Sequence, residues 1–343
     1  MPEPIDDKPI ATLADVARFA NVSTATVSRC LNTPNLVVPL TRERVLSAVQ
    51  SLGYTPNFGA QALAAKHTNT IGVVIPSMEN AVFARGIQAF QEELVRNGKT
   101  LLIASSAYDE ALEAEQVRTI VARGADGILL IGYHRSDAIY EYLKKRSVPF
   151  VVAWSFDPAQ PHPAVGFDNK AAMAELARQV IRHGHSKIAC ISAPIAANDR
   201  ARERVAGIRL AMSEAGLSGE DLVLTQTPYG IETGEIAFRS TLAKAPESTA
   251  VMCVNDVLAI GALRAAKEMG LRVPDDISIT GFDDIELAML AYPALTTVHV
   301  PHREMGRRAA SMLIQMVKSH TDCESVELPT DIRLRRSLGT RLR

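Results

Sequence analysis

Membrane spans, a secretory signal and a cysteine framework are all missing from this 343-residue sequence. No run approaches the roughly 18 consecutive apolar residues of a membrane helix, and the N-terminal segment MPEPIDDKPIA has no apolar stretch of the kind found in secretory signals. The scattered cysteines form no CxxC pair, which argues against a disulfide framework or a zinc site; they are Cys30, Cys190, Cys253 and Cys323. We therefore expect a cytoplasmic protein with no metal ion and no other cofactor.

The sequence also lacks a strong net charge and the common enzyme motifs. The formal net charge is -1, so any affinity for nucleic acid must come from a local basic patch. The sequence contains no GxGxxG, P-loop or GxSxG motif, the signatures of several large enzyme classes. We expect a binding protein and not an enzyme. An enzyme stays the alternative at this stage, because α/β sheets host many of them.

From Thr70 onward, short apolar runs alternate with amphipathic segments. The runs are almost continuously apolar, which is typical of strands buried on both faces of a parallel sheet. This alternation predicts an α/β fold. The predicted strands cover residues 70–76, 99–105, 127–132, 149–155, 187–193, 250–256, 278–284 and 296–301. Because one sheet does not comfortably hold so many strands, we expect two α/β subdomains with a boundary near residues 164–168.

The segment before this alternation predicts short helices only. Thr12 can cap a first helix, with an acidic residue three positions later to complete a capping box. Asn21 suits a tight turn, Ser23 can cap a second helix, and Thr41 can cap a third that ends at Gly53. This is a helix-turn-helix pattern, whose second helix can lie in the major groove of DNA. The alternative is a small helical lid on the α/β body.

Local charge favours the DNA-binding interpretation. Between Lys8 and Lys66 the chain carries six basic and two acidic residues, a net charge of +4 against -1 for the whole sequence. A basic patch confined to the helix-turn-helix segment is where a DNA-binding module requires it.

Four segments together resemble the LacI/GalR family of transcription regulators. TLADVARFANVSTATVSRCLN and TRERVLSAVQSLGYTPNFGAQALAAKHTNTIGVVIP are similar to that family's headpiece and hinge. VNDVLAIGALRAAKEMGLRVPDDISITGFDD and PALTTVHVPHREMGRRAASMLI are similar to its ligand-binding core. The resemblance covers roughly residues 12–318, and IPSMENAVFARGI and VGFDN are somewhat similar to gluconate-utilisation repressors of the family.

The resemblance implies both an architecture and partners. After a disordered leader at residues 1–10, it implies a helix-turn-helix headpiece at 11–57 and a hinge helix with linker at 58–68. Residues 69–343 would form the effector-binding and dimerisation core, a two-subdomain core of the type I periplasmic-binding-protein kind with parallel sheets. The expected partners are a double-stranded, palindromic DNA operator, a second copy of the chain and a small-molecule effector. No leucine heptads follow the last helix, so we expect a dimer.

The family pattern also implies which side chains contact DNA. Thr24, Ala25 and Arg29 match base-reading positions, and a guanidinium such as that of Arg29 can donate two hydrogen bonds to guanine. Leu63 matches a leucine that wedges into the minor groove. The positions implied to contact the DNA backbone, which fix register without reading sequence, are Ser23, Thr26, Asn32, Thr41 and Tyr54. Each of these five could instead be a helix cap or a residue at the edge of the core, and Arg29 could be a solvated surface arginine.

Effector contacts are implied in the loops that follow the strands, since α/β sheets bind ligands at the carboxyl ends of their strands. We place Arg204 in the loop after residues 187–193, at a ligand-binding arginine of the family, and Asp283 at a ligand-contacting carboxylate. The full implied set is Ser77, Asn80, Phe83, Trp154, Arg204, Asn255, Asp283 and His302. Helix capping is the alternative role for Asp283, and a place in the core is the alternative for Trp154.

One departure from the family bears on the effector. Trp154 stands where sugar-binding relatives carry an aspartate that holds hydroxyl groups, so the pocket has fewer carboxylates. A guanidinium matches a carboxylate bidentately, which favours a sugar acid. The function expected is therefore an effector-controlled repressor. The alternative is an effector-dependent activator, or a corepressor-dependent repressor, with a neutral sugar or a nucleobase as ligand. A transport-type binding protein would share the core but would need a signal peptide and no headpiece.

Overall fold

The computed structural model describes residues 11–55, 67–79, 81–321 and 323–341. The chain divides into two compact units, Met1–Thr68 and Asn69–Arg343, and each is described by itself. The predicted leader and most of the predicted hinge helix, including Leu63, lie outside the described residues, as does Asn80.

Three α-helices build the described part of the first unit. They are α1 (Leu13–Phe19), α2 (Thr24–Asn32) and α3 (Pro39–Leu52), with a 3₁₀ turn at Pro34–Leu36. Each helix contributes a fully buried valine to the shared core: Val16, Val27 and Val45. A core this small leaves much of the helix positioning to capping and turn residues.

Caps set the limits of these helices as the sequence predicts. The Thr12 side chain accepts a hydrogen bond from the Asp15 backbone N–H, and the Asp15 carboxylate accepts one from the Thr12 N–H at 2.9 Å, which completes the capping box. Ser23 Oγ accepts from the Thr26 N–H at 3.1 Å. Gly53 ends α3 with φ 61°, a left-handed conformation that glycine adopts without steric cost.

The turn before α2 and the start of α3 test two further predictions. Asn21 has φ 50°, as predicted for the tight turn. The prediction that Thr41 caps α3 is wrong, because the helix already begins at Pro39 and its N-cap is Val38. Proline is favoured at the first helical position, since its missing N–H would have no partner there and its φ suits the helix.

In the described residues of the second unit, the strands form two six-stranded sheets. The first has the order β11-β5-β4-β3-β1-β2 and is parallel throughout. Its strands are β1 (Thr70–Ile75), β2 (Thr100–Ser105), β3 (Gly127–Ile131), β4 (Phe150–Ala153), β5 (Ala164–Gly166) and β11 (Val326–Glu327). The second has the order β12-β10-β9-β8-β6-β7, parallel except for β12 against β10. Its strands are β6 (Ile188–Ser192), β7 (Val223–Gln226), β8 (Ala250–Cys253), β9 (Ser278–Asp283), β10 (Thr296–His299) and β12 (Asp331–Arg333).

Helices cover both sheets, so the fold class predicted from the sequence is confirmed. Those that pack with the first sheet are α4 (Ala81–Arg96), α5 (Glu110–Ala122), α6 (Asp137–Lys145) and α12 (His302–Ser319). Those that pack with the second are α7 (Asn169–Arg182), α8 (Asp199–Glu214), α9 (Ile231–Lys244), α10 (Asp256–Glu268) and the short α11 (Glu286–Leu290). Burial on both faces explains the continuously apolar strands, as for β3, all of whose residues are buried.

All eight predicted strands are present, and four more were not predicted: β5, β7, β11 and β12. The chain passes between the two sheets at residues 166–169, 299–302 and 327–331. We call the part built on the first sheet subdomain 1 and the part built on the second sheet subdomain 2. Within the described ranges, no helix combines the length and apolarity that crossing a membrane requires.

Candidate functional site

Helix α2 presents the predicted base-reading side chains on its exposed face. Thr24, Ala25 and Arg29 are all exposed, whereas Val27 and Cys30 are buried in the core of the first unit. An α-helix fits the width of the major groove of B-DNA, so α2 has both the shape and the side chains for that position.

The residues predicted to contact the DNA backbone surround the two ends of α2 and the start and end of α3. Ser23 and Thr26 share the amino end of α2, with 2.9 Å between their hydroxyl oxygens. Asn32 is the last residue of α2 and is exposed. Thr41 lies half-buried in the first turn of α3, and Tyr54 follows α3 and packs against the core of the unit. A helix amino end attracts phosphate, which suits Ser23 and Thr26.

In the second unit, Arg204 lies at the meeting point of several strand ends. The prediction that it lies in a loop is wrong: it belongs to α8, because the helix already begins at Asp199. Its guanidinium donates from Nε to Asn169 Oδ1 at 2.8 Å and from Nη1 to the Val254 carbonyl at 2.7 Å. It also lies 3.7 Å from the centre of the Phe282 ring. The guanidinium is thus held in one orientation.

Asp283 is the acidic partner of Arg204. Arg204 Nη2 donates to Asp283 Oδ1 at 3.4 Å, the longest of the three hydrogen bonds of this guanidinium. Asp283 has φ 107°, which is uncommon for a residue other than glycine. Burial raises the pKa of its carboxyl to about 6, although the positive charges of Arg204 and Arg200 act in the opposite direction. The Asp283 carboxyl is therefore mostly ionised at neutral pH, and it becomes protonated as the pH falls through about 6.

Asp256 has a structural role beside this pair. Its carboxylate accepts hydrogen bonds from the Thr297 hydroxyl at 2.6 Å and from the Ile285 N–H at 2.8 Å. It therefore anchors the loop that follows Asp283. Asn255, one of the predicted effector residues, caps α10 by accepting from the Leu258 N–H at 2.9 Å.

Trp154, Phe83 and His302 form one buried aromatic cluster. The Trp154 and Phe83 rings meet edge to face with centroids 5.4 Å apart, and the His302 ring lies 6.3 Å from Trp154. His302 Nε2 lies 3.2 Å from the Asp283 carbonyl oxygen, to which it can donate. Burial lowers the pKa of His302 to about 3, so its ring is neutral. This burial agrees with the core role given as the alternative for Trp154.

Three buried nitrogen atoms of these residues have no hydrogen-bond partner among the described residues: Trp154 Nε1, Asn255 Nδ2 and His302 Nδ1. Buried polar atoms are normally paired. Polar atoms left over in one region of a binding protein favour a polar ligand there.

A cavity of about 780 Å³ opens between the loops that follow the strands of the two sheets. Ser77 from subdomain 1 and Asn198 from subdomain 2 line it, and so do Tyr108 and Tyr229, whose rings lie 5.6 Å apart. Burial raises the pKa of Tyr229, with the charges of Arg204 and Arg200 opposing the rise. Tyr229 thus lines the cavity and accepts a hydrogen bond from Asn198 Nδ2 at 3.3 Å. A volume of this size suits a small-molecule ligand.

Sequence reasoning missed several residues of this region: Asn169, Tyr108, Asn198, Asp199, Arg200 and Tyr229. Asn169 holds Arg204 through Oδ1 and donates from Nδ2 to the Trp154 carbonyl at 3.0 Å. Tyr229 follows β7, a half-buried edge strand without the apolar signal used for prediction. For Asp199 and Arg200, the sequence signal that could have marked them as site residues is a pair of opposite charges in the segment that follows the predicted strand at 187–193. Across the described part of the chain, no cluster of His, Cys, Asp and Glu side chains is arranged to hold a metal ion.

Comparisons with known proteins agree with this architecture. The family model of bacterial regulatory proteins of the lacI family matches residues 12–57, and that of the periplasmic binding protein-like domain matches residues 177–338. The HTH-type transcriptional repressor PurR of Klebsiella pneumoniae is 35% identical over 334 residues, which is 96% of this chain and 97% of PurR.

Two solved structures extend the comparison. The lac repressor dimer bound to operator and the anti-inducer ONPF superposes with a TM-score of 0.85 at 26% identity, covering 96% of this chain and 99% of that one. The transcription regulator GntR from Chromobacterium violaceum gives a TM-score of 0.71 at 30% identity, covering 78% of this chain and 99% of that one.

Proposed function

This chain belongs to the LacI family and is a DNA-binding transcriptional repressor with an effector-binding domain, and we propose that it binds a palindromic operator as a homodimer under the control of a sugar acid. The observation that carries the effector part of the proposal is the buried guanidinium of Arg204. Three protein acceptors orient it, and the longest of its hydrogen bonds is to the carboxylate of Asp283, whose pKa burial raises to about 6.

The palindromic operator follows from the size of the DNA-binding unit. Helix α2 has nine residues and exposes few side chains that can read bases. One such helix covers only a half-site, and helix-turn-helix proteins gain affinity and specificity by binding two half-sites as a symmetric dimer. We assign base reading mainly to Arg29, with weaker contributions from Thr24 and Ala25. The proposed backbone contacts are Ser23, Thr26, Asn32, Thr41 and Tyr54.

The segment around α11 is our candidate for the dimer contact. Four large apolar side chains within six residues are exposed: Leu287, Met289, Leu290 and Tyr292, with Leu290 at 79% and Tyr292 at 93%. Concentrated exposed apolar side chains mark interaction sites. A second copy of the chain is the occupant we propose, since the lac repressor, which matches this chain over 96% of its length, is a dimer on its operator.

A sugar acid fits the charges around Arg204. Arg204 has five N–H groups, and three of them serve the contacts described above. An incoming carboxylate can accept from the remaining donors, and it gains most when Asp283 is protonated. The hydroxyl groups of such a ligand suit the nitrogen atoms of Trp154 and Asn255 that have no partner among the described residues.

A nucleobase is the second candidate, and one observation favours it. Tyr108 and Tyr229 lie on the wall of the cavity with their rings 5.6 Å apart. Aromatic side chains in a pocket suit a flat, conjugated ring. This pair would contribute less to the binding of an open-chain sugar acid.

Two experiments test the proposal. Selection from a random DNA library should enrich a palindromic sequence, and the Arg29→Ala protein should lose preference at one position in each half-site. Calorimetry with D-gluconate, D-glucose and guanine should give the tightest binding for gluconate. Enrichment of a non-palindromic site would contradict the dimeric mode, and tighter binding of glucose or guanine would replace the sugar acid with the alternative ligand.

A further inference from the structure

The turn that follows β3 contacts subdomain 2 through its backbone. This turn comprises Ile131, Gly132 and Tyr133, and we call it the latch turn. The Tyr133 N–H donates to Asp199 Oδ2 at 2.6 Å. Arg200 Nη1 donates to the Ile131 carbonyl at 3.1 Å. Asp199 and Arg200 are the first two residues of α8 in subdomain 2, so both hydrogen bonds cross between the subdomains.

Subdomain 1 shapes the latch turn without help from subdomain 2. The Gly132 N–H donates to the Ala153 carbonyl at 2.9 Å, and Tyr140 Oη donates to the Tyr133 carbonyl at 3.1 Å. Arg135 Nη2 donates to the Ile131 carbonyl at 3.2 Å and pairs with Glu113. The turn is therefore ready to receive Asp199 and Arg200, and releasing them leaves its own hydrogen bonds intact.

Asp199 and Arg200 also neutralise each other. Arg200 Nη1 lies 3.0 Å from Asp199 Oδ1, and both side chains are about nine-tenths buried. Burial alone raises the pKa of Asp199, but the charge of Arg200 and the N–H of Tyr133 outweigh it, and the pKa lies below its ordinary value. Breaking a buried ion pair is costly when it strands a single charge. Here the two partners are neighbours in the sequence, so separation of the subdomains exposes an intact pair to water. The contact can therefore open and close reversibly.

We propose that Asp199 and Arg200 form a latch on the turn at residues 131–133 that holds subdomains 1 and 2 together and so sets the balance between two arrangements of the effector-binding core. The regulatory part rests on the proposed function. The latch lies beside the effector region: Asn198, directly before Asp199, lines the 780 Å³ cavity, and Tyr108 lines both that cavity and a smaller one bounded by Asp199 and Arg200. The charge of Arg200 also acts on both Asp283 and Tyr229. A ligand that contacts Asp283 or Tyr229 therefore alters the surroundings of the latch. A ligand shifts a conformational equilibrium only if it interacts differently with the two conformations.

Gly132 shows how closely the latch turn and the Asp199–Arg200 pair fit together. It has φ 70°, and a side chain on it would collide with the guanidinium of Arg200 and the carboxylate of Asp199. Glycine is thus needed at this position for two reasons: it adopts the backbone conformation without strain, and it leaves room for Asp199 and Arg200.

Hydrogen–deuterium exchange of the full-length protein tests the latch directly. The Tyr133 amide donates across the subdomains, so its exchange reports latch opening. In the wild-type protein it should exchange at least about tenfold more slowly than an unstructured amide, because it exchanges only when the contact opens locally. An unprotected Tyr133 amide in the wild type would overturn the proposal without the need for any variant.

Substitution then separates the latch from general stability. Asp199→Ala should speed exchange at Tyr133 by about tenfold or more while the amides of β3 keep their protection. Arg202→Gln is the matched control, since Arg202 lies in the same helix with an exposed side chain. Equal exchange at Tyr133 in the two variants would overturn the latch. Acceleration of β3 together with Tyr133 would also overturn it, because it would show unfolding of subdomain 1.

Operator binding tests the regulatory consequence. Asp199→Ala should change the operator affinity of the effector-free protein by about fivefold or more, as expected for a shifted two-state population, and Arg202→Gln should leave it unchanged. Equal operator affinities would overturn the regulatory part. A wild-type protein that binds no selected operator would instead overturn the proposed function, because the exchange measurements require neither DNA nor effector.

Discussion

The guanidinium of Arg204 and the carboxylate of Asp283 face each other at 3.4 Å, with 4% and 1% of the two residues exposed. This is the longest contact of a guanidinium that the Asn169 side chain and the Val254 carbonyl otherwise hold at 2.8 and 2.7 Å. Arg204 is permanently charged, whereas the Asp283 carboxyl has a pKa of about 6. Because their contact is long, Arg204 is well suited to exchange Asp283 for the carboxylate of a ligand.

The first prediction concerns Arg204. Arg204→Lys should abolish the response to a sugar acid, because an ammonium group cannot replace the planar fork that donates to several acceptors at once. Operator affinity without effector should stay close to wild type. Calorimetry with D-gluconate and operator titrations measure the two effects, with Arg202→Lys as the control. A normal gluconate response in Arg204→Lys would remove Arg204 from the effector site.

A second prediction follows from the pKa of Asp283. Its carboxyl is ionised above about pH 6 and then competes with a carboxylate ligand for Arg204. Protonation at lower pH removes this competitor, so gluconate affinity should rise as pH falls from about 8 to 5.5, by up to about tenfold per pH unit above the pKa. The ligand stays ionised over this range, because an ordinary carboxyl has a pKa of about 4.

Asp283→Asn is the control for that pH dependence. The amide carries no charge at any of these pH values, so gluconate affinity should be nearly constant. The prediction fails if the wild-type affinity falls towards pH 5.5, or if the asparagine variant keeps the same pH profile as the wild type.

The third prediction concerns base reading by the exposed helix α2. Arg29→Ala should cost about 1–3 kcal/mol on the cognate operator and relax the preference for one base pair in each half-site. Arg42→Ala, on α3, should weaken binding to all sequences alike and reduce the salt dependence, as loss of a phosphate contact does. Titrations on operators with single-base changes distinguish the two. An unchanged preference profile in Arg29→Ala would refute the assignment.

The fourth prediction concerns the exposed segment around α11. Leu290→Glu should weaken self-association by about 2 kcal/mol or more, because a charge would then be buried in the centre of an apolar contact. Sedimentation equilibrium measures the effect. Val95→Glu is the matched control, since Val95 is also highly exposed but lies on α4 in subdomain 1. Equal self-association of both variants would place the dimer contact elsewhere.

Local chemistry explains which parts of the fold are predictable from the sequence. Thr12 and Ser23 start their helices, and Gly53 ends one, through hydrogen bonds or backbone angles that involve only near neighbours. The central strands are recognisable because burial on both faces requires apolar residues at every position. Prediction of a helix start failed where two nearby residues each favour one. Thr41 has the better capping side chain, but α3 begins at Pro39.

Edge strands illustrate a second limit. Residues 223–226 form β7 at the edge of the second sheet, where only part of the strand is buried. Its sequence, VLTQ, lacks a continuous apolar signal, so neither the strand nor the position of Tyr229 after it was predicted. Family resemblance supplied Arg204 and Asp283 as candidate effector residues, but not their partners.

The sequence alone was sufficient for the helix-turn-helix unit, the positions of the main strands along the chain and the family. Contacts of the candidate effector region were decided by tertiary structure. Arg204 finds its three acceptors 35, 50 and 79 residues away, and Asp199 meets Tyr133 across 66 residues. No local pattern encodes such pairs, because they depend on which loops the two sheets bring to a common edge. Burial at that edge, which raises the pKa of Asp283 and holds the latch pair together, exists only after the sheets have packed.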